Sequence, residues 1–225
     1  MARNAGQKYE DYIQDILKGK NLYPLIVKYD NDAGFIHRGV SYYIEVKNVK
    51  AHDFGQKKLK WNKFDGWQWN EKDEITDLYD GYKIIDRINK NFVPRKFTLP
   101  NDANFKEADR EYDRVNFESG TIEINDFSAI NSYYAKKECY YIQIEDRGFY
   151  YLERDKAVLG GNLLPFKPKI TMRLRAKPHS TSNVSKQYDY SFFAVLIAYP
   201  KSVMASEYDI EPKINKKFPL IVKDL

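Results

Sequence analysis

Residues 29–48 read YDNDAGFIHRGVSYYIEVKN. Gly39 marks a tight turn between two extended runs, the second of which ends in Glu45-Val46-Lys47. Side chains alternate along a strand, so Glu45 and Lys47 point to one face while Ile44 and Val46 point to the other, where they can be buried. If Arg38-Gly39 is a two-residue hairpin loop, His37 faces Val40 and, counting outward, Asp32 faces Glu45, with Cβ atoms roughly 5 Å apart. Like charges that close are destabilising unless a cation shares them, so the arrangement points to a hard divalent metal such as Mg²⁺. A three-residue loop through His37 shifts the register by one and needs a bulge to restore the facing pair. Asp30 is a rival for the first carboxylate.

Around this stretch the chain has 225 residues, enough to bury an ordinary core. Its single cysteine, Cys139, excludes a disulfide within the chain and suits a reducing compartment. No apolar run approaches the roughly 20 residues that span a bilayer, and the start of the chain is polar, so a soluble cytoplasmic protein is expected. The net charge of +5 says little by itself. Its distribution says more, with acids gathered over 101–126 and bases over 47–63, 167–177 and 213–217, an uneven field able to hold a polyanion on one side.

Residues 6–21 carry Tyr9, Tyr12, Ile13, Ile16 and Leu17 at helical spacing up to Gly19, which predicts an amphipathic opening helix. LYPLIVKY (22–29) reads as a short strand, and 75–90 as helical. CYYIQIEDRGFYYLERD (139–155) reads as two strands about a turn at Gly148, PKITMRLRAK (168–177) as a strand and YSFFAVLIAY (190–199) as a buried strand. Helix, strands, helices and then mostly strands predict an α/β core around a mixed β-sheet flanked by helices, with additional β-rich elements in the second half. The expected organisation is one domain over 1–225: catalytic core elements in 1–90, a polar insertion over 91–130, and a β-rich part over 131–225 that shares the sheet or forms a separate lobe.

Asp32, within Asn31-Asp32-Ala33-Gly34, and Glu45-Val46-Lys47 at the end of an apolar strand resemble the signature of the PD-(D/E)XK nuclease superfamily, which includes most type II restriction endonucleases. Asn31 stands where the superfamily's name has proline. The resemblance implies a restriction-endonuclease-like core. It implies that Asp32, Glu45 and the Val46 carbonyl bind Mg²⁺, and that Lys47 orients or deprotonates the attacking water. Gly6-Gln7-Lys8-Tyr9-Glu10 is similar to the start of the first helix in members where a glutamate serves a second metal, which adds Glu10 to the catalytic and metal-binding set. A second Glu-X-Lys, Glu211-Pro212-Lys213, is kept out of a sheet interior by its central proline.

Two segments suit phosphate contact. In 48–70, Lys50, Lys57, Lys58, Lys60 and Lys63 interleave with Trp61, Trp67 and Trp69, and Gln56 or Lys57 can orient a phosphate; the tryptophans themselves are expected in the core. In LPFKPKITMRLRAKPH, Lys167, Lys169, Thr171, Arg173, Arg175 and Lys177 hold the odd positions and apolar residues the even ones from Ile170 to Ala176, a strand with one cationic face. The loop that follows brings His179, Ser180, Asn183 and Lys186, groups able to reach base edges.

His37, His52 and His179 are scattered, with no cysteine cluster, which disfavours a ββα-metal nuclease or a zinc site. No phosphate-binding glycine loop or dinucleotide fingerprint is present. The expected function is a type II restriction endonuclease: Mg²⁺-dependent, sequence-specific hydrolysis of double-stranded DNA to 5′-phosphate ends by a homodimer. The alternatives are a structure-specific nuclease of the Holliday-junction resolvase type and a non-catalytic DNA-binding protein on the same fold.

Overall fold

A computed structural model describes residues 4–49, 53–91, 121–179 and 189–220. Along the chain the elements are α1 (Ala5–Gly19), β1 (Ala33–His37), β2 (Val40–Lys47), β3 (Asp53–Asn62), β4 (Gly66–Trp69), α2 (Glu74–Gly81), α3 (Ile84–Asn91), β5 (Thr121–Ile124), α4 (Ser128–Lys136), β6 (Cys139–Ile144), β7 (Gly148–Tyr151), β8 (Lys169–His179) and β9 (Asp189–Tyr199). The protein is therefore mixed α/β. Its contacts divide it into a first unit, residues 1–52, 126–169 and 198–225, and a second, residues 53–125 and 170–197.

The first unit is built on a mixed four-stranded sheet in the order β1-β2-β6-β7. β2 runs antiparallel to β1 and parallel to β6. Helix α1 starts at Asn4, whose side chain accepts from the Gln7 N–H in a capping box, and it buries Tyr9, Ile13 and Leu17. Those side chains share a core with Ile44 and Val46 of β2, Tyr141 of β6 and Phe149 of β7. The apolar face expected of β2 is thus the face that α1 covers.

The segment read as a strand over 22–29 is not one. Pro24 withholds a donor from any ladder, Tyr29 and Asp30 take left-handed backbone (φ 59° and 54°), and Leu25 and Ile26 lie exposed. Its start is anchored by the Ile36 N–H donating to the Leu22 carbonyl at 2.6 Å, and its end by Asn31 donating to the Lys28 carbonyl.

The second unit is a five-stranded sheet in the order β4-β3-β9-β8-β5, antiparallel at β3–β4, β3–β9 and β5–β8. Trp67 and Trp69 are core residues, as expected: Trp67 packs edge-on against Phe192 with ring centroids 5.1 Å apart, and Trp69 tilts over Tyr79 at 5.4 Å. The helical stretch expected over 75–90 is two short helices, broken where Lys83 adopts φ 55°. Each sheet takes strands from both halves of the sequence, so the described residues form two sheets where the order of elements predicts a single shared one. Of the insertion expected over 91–130, residues 92–120 lie outside the described residues; the rest includes β5 and the start of α4.

Candidate active site

The β1–β2 hairpin closes through Arg38 and Gly39, both with positive φ (50° and 76°), the backbone of a type I′ turn. The register is the one the two-residue loop dictates, from His37 opposite Val40 to Ala33 opposite Ile44. Tight packing holds it there: a Cβ on Gly34 would meet Pro24 and the Tyr42 carbonyl at 3.0 Å each. One step past Ala33 the ladder ends and the Asp32 side chain takes over, its Oδ2 accepting from the Val46 N–H at 2.8 Å. The Gln14 amide, on α1, donates to the Asp32 carbonyl at 2.8 Å. Asp30, the rival, is exposed.

Lys47 lies between the acids. Its ammonium pairs with Glu45 Oε1 and stands 4.0 Å from Asp32 Oδ2. All three side chains are largely enclosed, at 19%, 13% and 20% exposure for Lys47, Glu45 and Asp32. Burial pushes the Asp32 carboxyl up to about 7, with Glu45 and more weakly Glu10 adding to the rise and Lys47 and the Val46 N–H opposing it. Burial would lower Lys47, but Glu45 and Asp32 outweigh it and hold the ammonium well above its usual range, with Glu10 contributing. Glu10 on α1 therefore belongs to the same electrostatic cluster as the strand residues.

The donor set suits a hard cation. Asp32 and Glu45 both address the Lys47 ammonium, so a positive charge already sits where their fields converge. A strand residue points its N–H and C=O toward the same neighbour. Because the Val46 N–H reaches Asp32, the Val46 carbonyl faces that edge too, whereas the Lys47 carbonyl accepts from the Glu145 N–H on the β6 side at 3.0 Å. Among the described residues no three His, Cys, Asp or Glu side chains are already gathered as metal ligands; Asp32, Glu45 and the Val46 carbonyl are the groups able to hold Mg²⁺, with Glu10 beside them.

Several residues at the site escape a sequence reading. Gln14 lies one helical turn after Glu10, a spacing that signals a shared face. Glu145 accepts from the Val49 N–H at 3.1 Å and ties the chain beyond Lys47 to the end of β6. Asn31 donates to the carbonyls of Lys28 and Lys137, at 2.7 and 2.9 Å. Tyr134 of α4 and Cys139 of β6 lie close enough that burial, then Glu45, pushes both well above their usual values. Nothing local in the sequence marks Tyr134, Cys139 or Glu145.

The residues expected to bind DNA are spread. Lys50, Ser180, Asn183 and Lys186 lie outside the described residues, as do the side chains of Lys177 and His179. In the second unit Gln56, Lys58 and Lys60 are exposed. Lys57 points the other way and pairs with Asp73, the N-cap of α2. Lys167 and Lys169 are exposed, and Arg173 and Arg175 half-buried, while Ile170, Met172 and Leu174 are buried as the alternation requires. Arg175 pairs with Asp53 of β3. Asp53 and Lys58 pair with Ile197 and Phe193 of β9, two positions of one parity, so Arg173, Arg175, Lys58 and Lys60 share a sheet face. That face is not free of acids as the single strand suggested, since Asp53 lies on it and Glu123 of β5 stands opposite Thr171.

No family model, curated protein or solved structure matches the chain.

Proposed function

We propose that the protein is a Mg²⁺-dependent endonuclease acting on double-stranded DNA, with a restriction-endonuclease-like core in its first unit. The observation that carries this reading is the convergence of Asp32, Glu45 and Lys47 at the point where the β1 ladder ends, with the Val46 backbone turned toward the same place. The mixed sheet, with β2 antiparallel to β1, parallel to β6 and backed by α1, supports the same reading.

Asp32 and Glu45, with the Val46 carbonyl, would hold Mg²⁺. When bound, the ion polarises the scissile phosphate and acidifies a water. Lys47, paired with Glu45 and beside Asp32, would orient or deprotonate the attacking water and offset the charge gathering on the phosphoryl oxygens. The water oxygen bonds to phosphorus opposite the 3′ oxygen as the P–O3′ bond breaks, leaving a 5′-phosphate and a 3′-hydroxyl that takes up the water's proton. The Gln14 contact fixes the Asp32 backbone so that its carboxylate need not reorganise. Affinity comes largely from phosphate neutralisation elsewhere, to which the Lys58, Lys60, Arg173 and Arg175 face is suited. One such centre per chain attacks one strand, so a homodimer cutting both strands of a palindromic site is the assembly we propose, in the manner of a type II restriction enzyme.

Plasmid DNA incubated with the purified protein should be cut in Mg²⁺ and left intact in EDTA, with 5′-phosphates at every mapped end. Ends carrying 3′-phosphates, or equal cleavage in EDTA, would refute the reading. Replacing Arg173 with alanine should weaken DNA binding and lower its salt dependence by about one unit of slope.

A further inference from the structure

The first unit holds a second set of carboxylates that the proposed reaction does not use. Asp209 and Glu211 are buried, at 1% and 8% exposure, in the loop that follows β9. A built network fixes them: Asp209 Oδ1 accepts from Gln143 Nε2 at 2.8 Å and from the Glu211 N–H at 3.1 Å, and the same Gln143 amide donates to the Tyr9 hydroxyl at 3.1 Å. Gln143 Oε1 accepts in turn from the Ile210 N–H at 3.1 Å. The backbone is pinned as well, by the Asp209 N–H on the Lys217 carbonyl at 2.8 Å.

Asp209 Oδ2 is fully enclosed and has no hydrogen-bond donor, and the enclosed Glu211 Oε2 pairs with an ammonium. Both are aimed at one point, the Lys213 ammonium, 4.0 Å from Asp209 Oδ2 and 2.5 Å from Glu211 Oε2. That ammonium is also committed elsewhere, bonding to Asp146 Oδ1 at 2.9 Å, so one positive charge serves three carboxylates. Leaving a buried carboxylate oxygen without a donor is costly, and a cation that both oxygens can touch removes the cost. Lys213 is one-third exposed and Asp146 two-thirds exposed, so the ammonium has a way out and a partner waiting there. At the first site, by contrast, Lys47 is enclosed and pairs with the site's own acids.

We propose that Asp209 and Glu211 form a second divalent-cation site, occupied by the Lys213 ammonium until an oxygen-seeking ion displaces it onto Asp146. Ca²⁺ and Mg²⁺ are the ions this donor set takes, carboxylate oxygen with water completing the shell.

Calorimetric titration of the full chain with CaCl₂ tests this. An Asp32→Asn/Glu45→Gln variant removes the acids of the first site, so any remaining ion reports on the second, whether or not the nuclease reading stands. That variant should still bind Ca²⁺, and adding Asp209→Asn, which keeps the Oδ1 hydrogen bonds, should abolish binding. Adding Lys213→Gln instead should tighten Ca²⁺ binding about tenfold by removing the competing ammonium, a gain that misfolding cannot imitate. No Ca²⁺ binding in the Asp32→Asn/Glu45→Gln variant, binding indifferent to Asp209→Asn, or no tightening by Lys213→Gln would overturn the proposal.

Discussion

The chain contains Glu-X-Lys in two settings, and they share only the letters. Glu45-Val46-Lys47 lies in β2, where the alternation of the strand sends both charges to one side and the Val46 N–H to Asp32. Glu211-Pro212-Lys213 lies in a loop, where proline has no N–H to give and the glutamate turns inward while the lysine keeps one foot in solvent. In the first, ammonium and carboxylates are locked together in a nearly closed site; in the second, the ammonium bridges outward to Asp146. The tripeptide itself is therefore uninformative. What gives it chemistry is the backbone between its charges and the acid that the neighbouring strand delivers.

The harshest way to break this contrast is to put the proline of one setting into the other. Val46→Pro deletes the donor that holds Asp32 and places a ring in a central strand. Cleavage should vanish and stability to urea should fall by at least about 3 kcal/mol. A folded, active Val46→Pro protein would mean that the backbone contact to Asp32 does not organise the site.

A smaller and signed effect should follow from Asp32→Asn measured without metal. The folded-state value of Asp32, raised from 3.8 to about 7, lies above its unfolded value. The folded chain thus holds the extra proton within that window, and this group's contribution to stability falls as pH rises through it and stays low above it. Asparagine stays neutral at every pH. In EDTA the variant and the parent should have similar melting temperatures near pH 4, and by pH 8 the variant should be the more stable by roughly 4 kcal/mol. A gap that shrinks as pH rises would contradict the burial of an ionisable Asp32.

The gentlest change is the reciprocal one, Pro212→Val. Pro212 is exposed, so its loss should cost under about 1 kcal/mol, mostly through the unfolded chain, and leave DNA cleavage as it was. Loss of cleavage here would show that the loop acts on the reaction.

What could be read in advance was local. The hairpin register follows from Arg38-Gly39 and a period of two, and it delivers Asp32 to β2 without any knowledge of the rest of the chain. The mixed α/β character and the burial of Trp67 and Trp69 follow from composition and periodicity. What escaped was set by distant partners. That β6 lies parallel to β2, across a long connection, brings Tyr134, Cys139 and Glu145 to the site, and no spacing within 128–145 announces it. Lys57 reads like Lys58 and Lys60 until the N-cap of α2 claims it. The proline of Glu211-Pro212-Lys213 correctly signals a loop, yet the burial of Asp209 and Glu211 depends on Gln143 and Tyr9, which lie far away in sequence.

Whether Asp32, Glu45 and Lys47 form a hydrolytic centre is decided by single-turnover DNA cleavage by Glu45→Ala, with DNA binding followed in parallel in Ca²⁺. Removing a group that acts mainly on the transition state should slow cleavage at least about a hundredfold while leaving binding equal or tighter, because a negative charge facing the phosphates has gone. Cleavage within a few-fold of the parent, in a variant that still folds and binds DNA, would contradict such a centre.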